Sequence, residues 1–217
     1  LTVCYEKQSD GNATWALGGG RSGSQGAGGS FAPWIREYIS RSKAPEHIGW
    51  MVAVKDRQNA LKNPFAHLKI EDISIEKVKA SPMMWEPIRF LESCPSSDGA
   101  CAMVLTDEAG GQAAAADGRP PAWILGASSR SEPPNFPGRD PVRPEACLQC
   151  ADDVYAMAGI TNPREQIDMA ELYVPFSWHE AIWLEGHRIA EPGEGWKMID
   201  DGSTELGSLE PFTRTHL

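Results

Sequence analysis

The apolar positions change period several times along the chain. LTVCYE (residues 1–6) alternates and is rich in β-formers, which predicts a strand. GGGRSGSQGAGG (18–29) is too glycine-rich for regular structure and predicts a loop. In FAPWIREYISRS (31–42), Phe31, Trp34, Ile35, Tyr38 and Ile39 recur at the spacing of one helical face. A second helix is predicted over 44–63, with Pro45 suited to its first turn, followed by a turn and short helix over 69–81.

The texture then changes. DGACAMVLTD (98–107) is a short apolar run bounded by turn residues and predicts a buried central strand, and AWILGASS (122–129) predicts another. Residues 108–121 between them read as a linker or a loosely packed helix. A helix is predicted over 146–160, a strand over 166–176, and a helix over 177–190 with Ser177 and Glu180 in capping-box register. Helices alternating with buried strands imply an α/β layered fold. No internal repeat stands out.

Composition adds limits rather than identity. With 217 residues, 41% hydrophobic and 23% charged, the chain has the makings of a real buried core in one large or two small domains. No apolar run approaches the length of a membrane span. The N-terminus shows no basic region followed by an apolar stretch. LTVCYE reads instead as a chain already inside a fold, so a fragment is expected. Thirty acidic against twenty basic residues give a formal net charge of −10, the wrong sign for meeting phosphates, so nucleic acid is excluded as a partner. The five cysteines, Cys4, Cys94, Cys101, Cys147 and Cys150, are odd in number and unevenly spaced. Reduced thiols and a cytoplasmic location are expected, not a disulfide framework.

The motifs sort by context. Gly18-x-Gly20-x-x-Gly23 trails its strand too far for a dinucleotide fingerprint, and no phosphate loop or nucleophile elbow is present. Cys147-x-x-Cys150 has no second ligand pair, and His179-Glu180 fails as a zincin start because residue 183 is Trp, so no metal is expected. His67 reads as a capping or core-rim residue. Tyr173 stands near the end of a predicted buried strand, where a phenol needs a hydrogen-bond partner or a cavity. Ligands collect at the carboxyl ends of strands in open α/β sheets. His179, in the first turn of the next helix, is close enough to share that cavity. The alternative, an ordinary buried tyrosine, stays open on spacing alone.

Three stretches resemble a known family. CPSSDGACAMVL (94–105) looks like the thiolase-superfamily strand that re-enters the core after the inserted loop domain. KNPFAHL (62–68) resembles the NP-aromatic segment of sterol-carrier-protein-type thiolases. Residues 166–207 resemble that branch's region DCF…E…G…GEG…GGT. The match covers nearly all of residues 1–207 and is nearest to the lipid-transfer-protein branch, especially the aldolases that cleave steroid side chains as coenzyme A thioesters.

The resemblance implies a partial thiolase-like layered αβαβα fold. Residues 1–108 would be part of the N-terminal half, with the loop domain inserted at about 7–97, and 119–217 the start of the C-terminal half. Aligning through Phe176 and Glu180 puts Tyr173 where sterol-carrier-type thiolases carry the histidine of His-Asp-Cys-Phe. A tyrosine there resembles the aldolase branch and implies a catalytic phenol. Because a free phenol has a pKa of about 10, it needs a polar neighbour to work near neutral pH, and His179 is the expected one.

The implied activity is retro-aldol cleavage of a β-hydroxyacyl-coenzyme A, with a steroid side-chain thioester as the expected substrate and no cofactor beyond that coenzyme A. The implied partners are a second copy in a homodimer and an OB-fold, zinc-ribbon protein. Two alternatives remain: an acyl-CoA thiolase (acetyl-CoA acyltransferase), although none of the five cysteines matches the nucleophile position, and a non-catalytic truncated subunit that binds acyl-CoA. The family's nucleophile would precede residues 1–6. Its Gly-His-Pro and Cys-x-Gly loops, or the late aldolase tyrosine, would follow Gly207, where this chain reads SLEPFTRTHL.

Overall fold

A computed structural model describes residues 1–7, 26–133 and 138–206 and the backbone of 214–216. Residues 18–25 of the expected glycine loop, and its GxGxxG, lie outside the described residues. From Gly26 onward the glycines are helical, because α1 spans Gly26–Ser42. A Cβ on Gly28 would sit 2.2 Å from the Trp85 ring, so glycine is what lets this helix approach so closely.

Helix α2 (His47–Lys62) is the centre of the structure. Ile48 and Val52 enter the main core with Ile35 and Tyr38 of α1. Ala53, on another side of α2, packs with Ile73 and Val78 in a smaller core. A helix apolar on two sides has its polar residues buried as well, and Lys55, Asp56 and Arg57 are each almost wholly buried. Short α3 (Ile75–Ala80) closes the smaller core and is capped by Ser74, whose side chain accepts from Lys77 N. A hairpin of β2 (Met83–Trp85) and β3 (Ile88–Arg89) leads into a 3₁₀ turn over Phe90–Glu92.

β1 (Thr2–Lys7) and β4 (Asp98–Met103) pair antiparallel, with Cys4 opposite Cys101. The expected burial of DGACAMVL is corrected, since all six β4 positions are exposed, as are Val104 and Leu105. Its partner is a single strand, and a two-stranded ribbon supplies no packed second layer. The expected strand over 122–129 is likewise absent. That segment has no regular structure and lies beside α5 (Glu145–Ala158), where Ser128 Oγ donates to Asp153 and Trp123, Ile124 and Leu125 are exposed. Of the two readings for 108–121, the loosely packed helix is right: α4 spans Glu108–Ala116, capped by Asp107.

The expected strand over 166–176 shrinks to β5 (Glu171–Tyr173), because α6 (Pro163–Gln166) takes its start. β5 pairs in parallel with β6 (Arg214–His216). Two helices follow β5, α7 (His179–Gly186) and α8 (Gly195–Asp200), and both put apolar residues into the main core. Tyr38 ties α1 to them, donating at 2.7 Å to Glu185, which also accepts from Gly195 N at 2.9 Å. Among the described residues, no helix is long and apolar enough to cross a membrane.

The expected capping box at α7 does not form. Ser177 Oγ donates to Glu92 at 3.0 Å, and Glu180 meets Lys55 Nζ in a buried ion pair. Both side chains are used for tertiary contacts, which leaves neither to cap the helix. Lys55 Nζ also donates to Thr204 Oγ1 at 3.1 Å, so one ammonium joins α2, α7 and the turn after α8. Beside it, Glu92 accepts from Arg89 N, Ser177 Oγ and the Trp178 indole. Gly49 faces this cluster, and a Cβ there would lie 2.4 Å from Glu92 Oε1 and from Trp178 Nε1.

Removing one partner of a buried pair strands the other in a poor dielectric, at a cost of about 3–5 kcal/mol. Lys55→Met and Glu180→Leu should therefore each lower unfolding stability in urea by about that amount, and the double substitution should recover most of the loss. Additive losses would show that the two side chains act independently.

Candidate active site

Four segments line an open cavity of about 710 Å³. The C-terminal half of α2 contributes Asp56, Ala60 and Asn63, and the following turn contributes His67. The ribbon supplies Cys4, Tyr5 and Asp98–Cys101, and the remaining wall is Cys94, Pro95, Ser97 and Tyr173. The volume falls within the usual range for small-molecule sites.

Tyr173 and Cys94 meet because two segments are zipped together. Cys94 N donates to Pro175 O at 2.9 Å, Ser93 bridges Phe176, and Ser177 N donates to Glu92 O at 3.0 Å. Arg57 holds the outer strand of this ladder by donating to Ser93 O at 2.8 Å. Tyr173 is itself fixed by the Trp183 indole, which donates to its carbonyl at 2.8 Å. The phenol O–H donates to the Cys94 sulfur. Partial burial, then the adjacent thiol, raises the Tyr173 pKa above its ordinary value of 10.0, so the phenol stays protonated and donates. Burial also raises the Cys94 thiol, although Arg57 opposes it.

Tyr173 is 71% exposed and sits on the cavity wall, so the sequence reading was right that it faces a cavity and wrong that its strand is buried. The expected pairing with His179 is corrected. His179 is 1% exposed and is not among the residues lining the cavity. It packs against Phe176 and Trp183, with the Phe31 ring edge-on at 4.8 Å. Its Nδ1 lies 3.2 Å from Phe176 O, and its Nε2 has no hydrogen-bond partner. Burial holds its pKa down to about 4, so the ring is neutral. One residue explains the miss. Val174 turns fully into the core between Tyr173 and Phe176, so the side chains that follow it stand on the core side.

His67 takes the place on the cavity wall that His179 was expected to fill. Its Nδ1 lies 2.6 Å from Ser97 Oγ, which fixes the ring from across the cavity. The turn that carries it is closed by Asn63, whose side chain accepts from Phe65 N at 2.9 Å. The sequence reading of His67 as a capping or core-rim residue is corrected, since it lines the cavity, and the KNPFAHL resemblance had pointed to the same turn. Cys147 and Cys150 lie apart on α5, half-buried, with Cys147 Sγ 3.8 Å from His187 Nε2. Among the described residues, no group of three or more His, Cys, Asp or Glu could hold a metal ion.

The comparisons with known proteins concern the family and the fold. Residues 131–214 match the family described as thiolase C-terminal domain-like. The chain is 30% identical to the benzoylsuccinyl-CoA thiolase subunit BbsB of Thauera aromatica, over 82% of this chain and 45% of that one. It is also 30% identical to the 17-hydroxy-3-oxo-4-pregnene-20-carboxyl-CoA lyase of Mycobacterium tuberculosis, over 83% of this chain and 47% of that one. The solved structure of an Ltp2-ChsH2(DUF35) aldolase superposes with a TM-score of 0.78 at 27% identity, covering 97% of this chain and 57% of its own. The chain spans about half the length of the curated relatives it matches.

Two buried groups beside the site titrate in opposite senses. Burial pushes Glu92 from 4.5 up to about 7, despite its three donors. Between those values the unfolded chain loses a proton that the folded one keeps, so Glu92 makes stability fall as pH rises. His179, held from 6.5 down to about 4, refuses a proton that the unfolded chain accepts, so it makes stability fall as pH drops. Relative to wild type, Glu92→Gln should steepen the loss of stability on acidification from about 6.5 to 4, and His179→Asn should flatten it, in urea midpoints followed against pH. Parallel curves for wild type and both variants would contradict these assignments.

Proposed function

We propose that this chain, which belongs to the thiolase superfamily, carries part of the active site of an aldolase that cleaves a β-hydroxyacyl-coenzyme A. The observation that carries the reading is one cavity holding a phenol that stays protonated, Tyr173, and an imidazole fixed by a serine, His67.

Retro-aldol cleavage needs two services. A base takes the proton from the β-hydroxyl as the bond between the α and β carbons breaks, giving a ketone or aldehyde and a thioester enolate. A donor near the thioester oxygen stabilises that enolate. A phenol raised above its ordinary pKa is a poor base near neutral pH and a ready donor, so Tyr173 takes the oxyanion role. An imidazole accepts a proton through its unprotonated ring nitrogen, and the imidazole on this cavity wall, held by Ser97, is His67, which gives it the role of base. His179 acts at one remove, holding Phe176 and the end of β5 in place.

A steroid side-chain thioester is the proposed substrate, supported by the name of the mycobacterial lyase. Assembly with a second copy and with an OB-fold, zinc-ribbon protein is proposed from the family, and the solved neighbour's two-component name supports a partner of some kind. The thiolase relative keeps acyl transfer as the second reading. Against it, Cys94, the cysteine beside Tyr173, has a thiol that burial holds protonated.

In the complete protein, Tyr173→Phe keeps the ring and removes only the hydroxyl, so folding should hold while kcat for β-hydroxyacyl-CoA cleavage falls by about 10²–10⁴ with KM little changed. His67→Gln removes the proton acceptor and should lower kcat by about 10²–10⁴ while the protein stays folded. Cleavage of β-ketoacyl-CoA with free coenzyme A, and none of the β-hydroxy substrate, would transfer the reading to a thiolase. A stable Tyr173→Phe protein cleaving within about threefold of wild type would remove Tyr173 from the chemistry.

A further inference from the structure

The same cavity wall has a second chemistry that the cleavage reaction does not use. Cys4 of β1 and Cys101 of β4 are direct partners in the antiparallel register. Opposed residues of such a pair point to the same face, with Cα atoms about 4.5 or 5.5 Å apart depending on the ladder position. Both values fall inside the roughly 4.4–6.8 Å that a disulfide spans. The two thiols are free and exposed, and both line the cavity. The other cysteines lack this combination. Cys94 shares the cavity but lies outside the ribbon register and is engaged with the Tyr173 phenol. Cys147 is half-buried on α5, with its thiol pushed up to about 11 by burial.

We propose that Cys4 and Cys101 are an oxidisable thiol pair, a site of reversible covalent modification by hydroperoxides. The thiolate of one attacks the peroxide. A sulfur–oxygen bond forms, the oxygen–oxygen bond breaks, and water or an alcohol leaves with a proton. The second thiol then attacks that sulfenic acid, forming the sulfur–sulfur bond and releasing water. The balance is two thiols and one hydroperoxide giving one disulfide, one alcohol or water, and one further water. A thiol donor such as glutathione reverses the step by exchange.

The position gives the bond a mechanical consequence. β1 leads into, and β4 out of, the long segment that carries α1, α2 and α3. A Cys4–Cys101 bond closes that segment into one covalent loop, and cross-linking a loop of this length restricts the unfolded chain strongly. The oxidised form is therefore the more stable one, and two of the three thiols on the cavity wall are withdrawn. The proposal is independent of the cleavage reading, because it needs only the ribbon register and two accessible thiols.

The test uses this chain as purified, reduced, freed of reductant and treated with stoichiometric hydrogen peroxide. Intact mass should fall by two hydrogens, and digestion without reduction should yield a Cys4–Cys101 linked peptide. The melting temperature should rise and return on adding dithiothreitol. Cys4→Ser and Cys101→Ser should each abolish the shift, while Cys94→Ser keeps it. A link from either residue to Cys94, links only between molecules, or a gain of oxygen at Cys4 or Cys101 without a link would each overturn the proposal.

Discussion

The Lys55–Glu180 ion pair is the contact on which the remaining structure depends. Burying two charges is costly unless each finds its partner and the leftover hydrogen bonds are made. Thr204 takes one of those bonds, so the arrangement is satisfied only when α2, α7 and the turn after α8 stand in one relation. The neighbouring cluster tightens it. Glu92 gathers donors from the 3₁₀ turn and from Ser177–Trp178, and Gly49 lets α2 come close enough to cover them. α2 is thus held along its length by polar contacts with little tolerance in angle, while Ile48, Val52 and Ala53 supply the apolar burial.

The cavity inherits its shape from this clamp. Two residues after Lys55 in α2, Arg57 secures Ser93, and its neighbour Cys94 is laced to Pro175, just beyond Tyr173. The same helix then ends in the turn that presents His67. A disturbance at Glu180 is transmitted to both polar walls, because α7 begins directly after the Phe176–Ser177 ladder. Stability and the proposed chemistry are therefore coupled here. A substitution in the clamp that leaves the protein folded would still shift the phenol relative to the imidazole, and roughly 1 Å of misplacement is enough to cost on the order of 10²-fold in rate.

Much of the helical framework was legible in the sequence: α1 carries clear apolar spacing on one face, and α2, α5 and α7 fall within the stretches expected to be helical. Local capping was less so. Ser177 and Glu180 have the right spacing for a capping box, and only their distant partners, Glu92 and Lys55, reveal their use. Lys55, Asp56 and Arg57 are buried charges, and nothing local in the sequence shows that α2 is covered on two sides. The strands were the weakest part. DGACAM has the composition of a buried strand, but burial depends on what lies across it, which a sequence window cannot contain. The site was legible at Tyr173, through its place before Phe176 and Glu180. It was illegible at Cys4 and Cys101, which reach the cavity from segments far apart in the chain, and at His67 the turn was singled out but the histidine was read as a capping or core-rim residue. His179 misled because spacing alone cannot say on which side of the chain a residue stands once Val174 has turned inward.

The central claim is that Tyr173 and His67 face one bound thioester. The most direct measurement is a crystal structure of the complete protein with a non-cleavable β-hydroxyacyl-coenzyme A analogue that has an amide in place of the thioester. The account predicts the amide oxygen within hydrogen-bond distance of the Tyr173 hydroxyl and the β-hydroxyl within reach of His67 Nε2, with the acyl chain in the cavity between α2 and the ribbon. An analogue bound elsewhere, or in this cavity with its carbonyl and β-hydroxyl both turned from Tyr173 and His67, would contradict it.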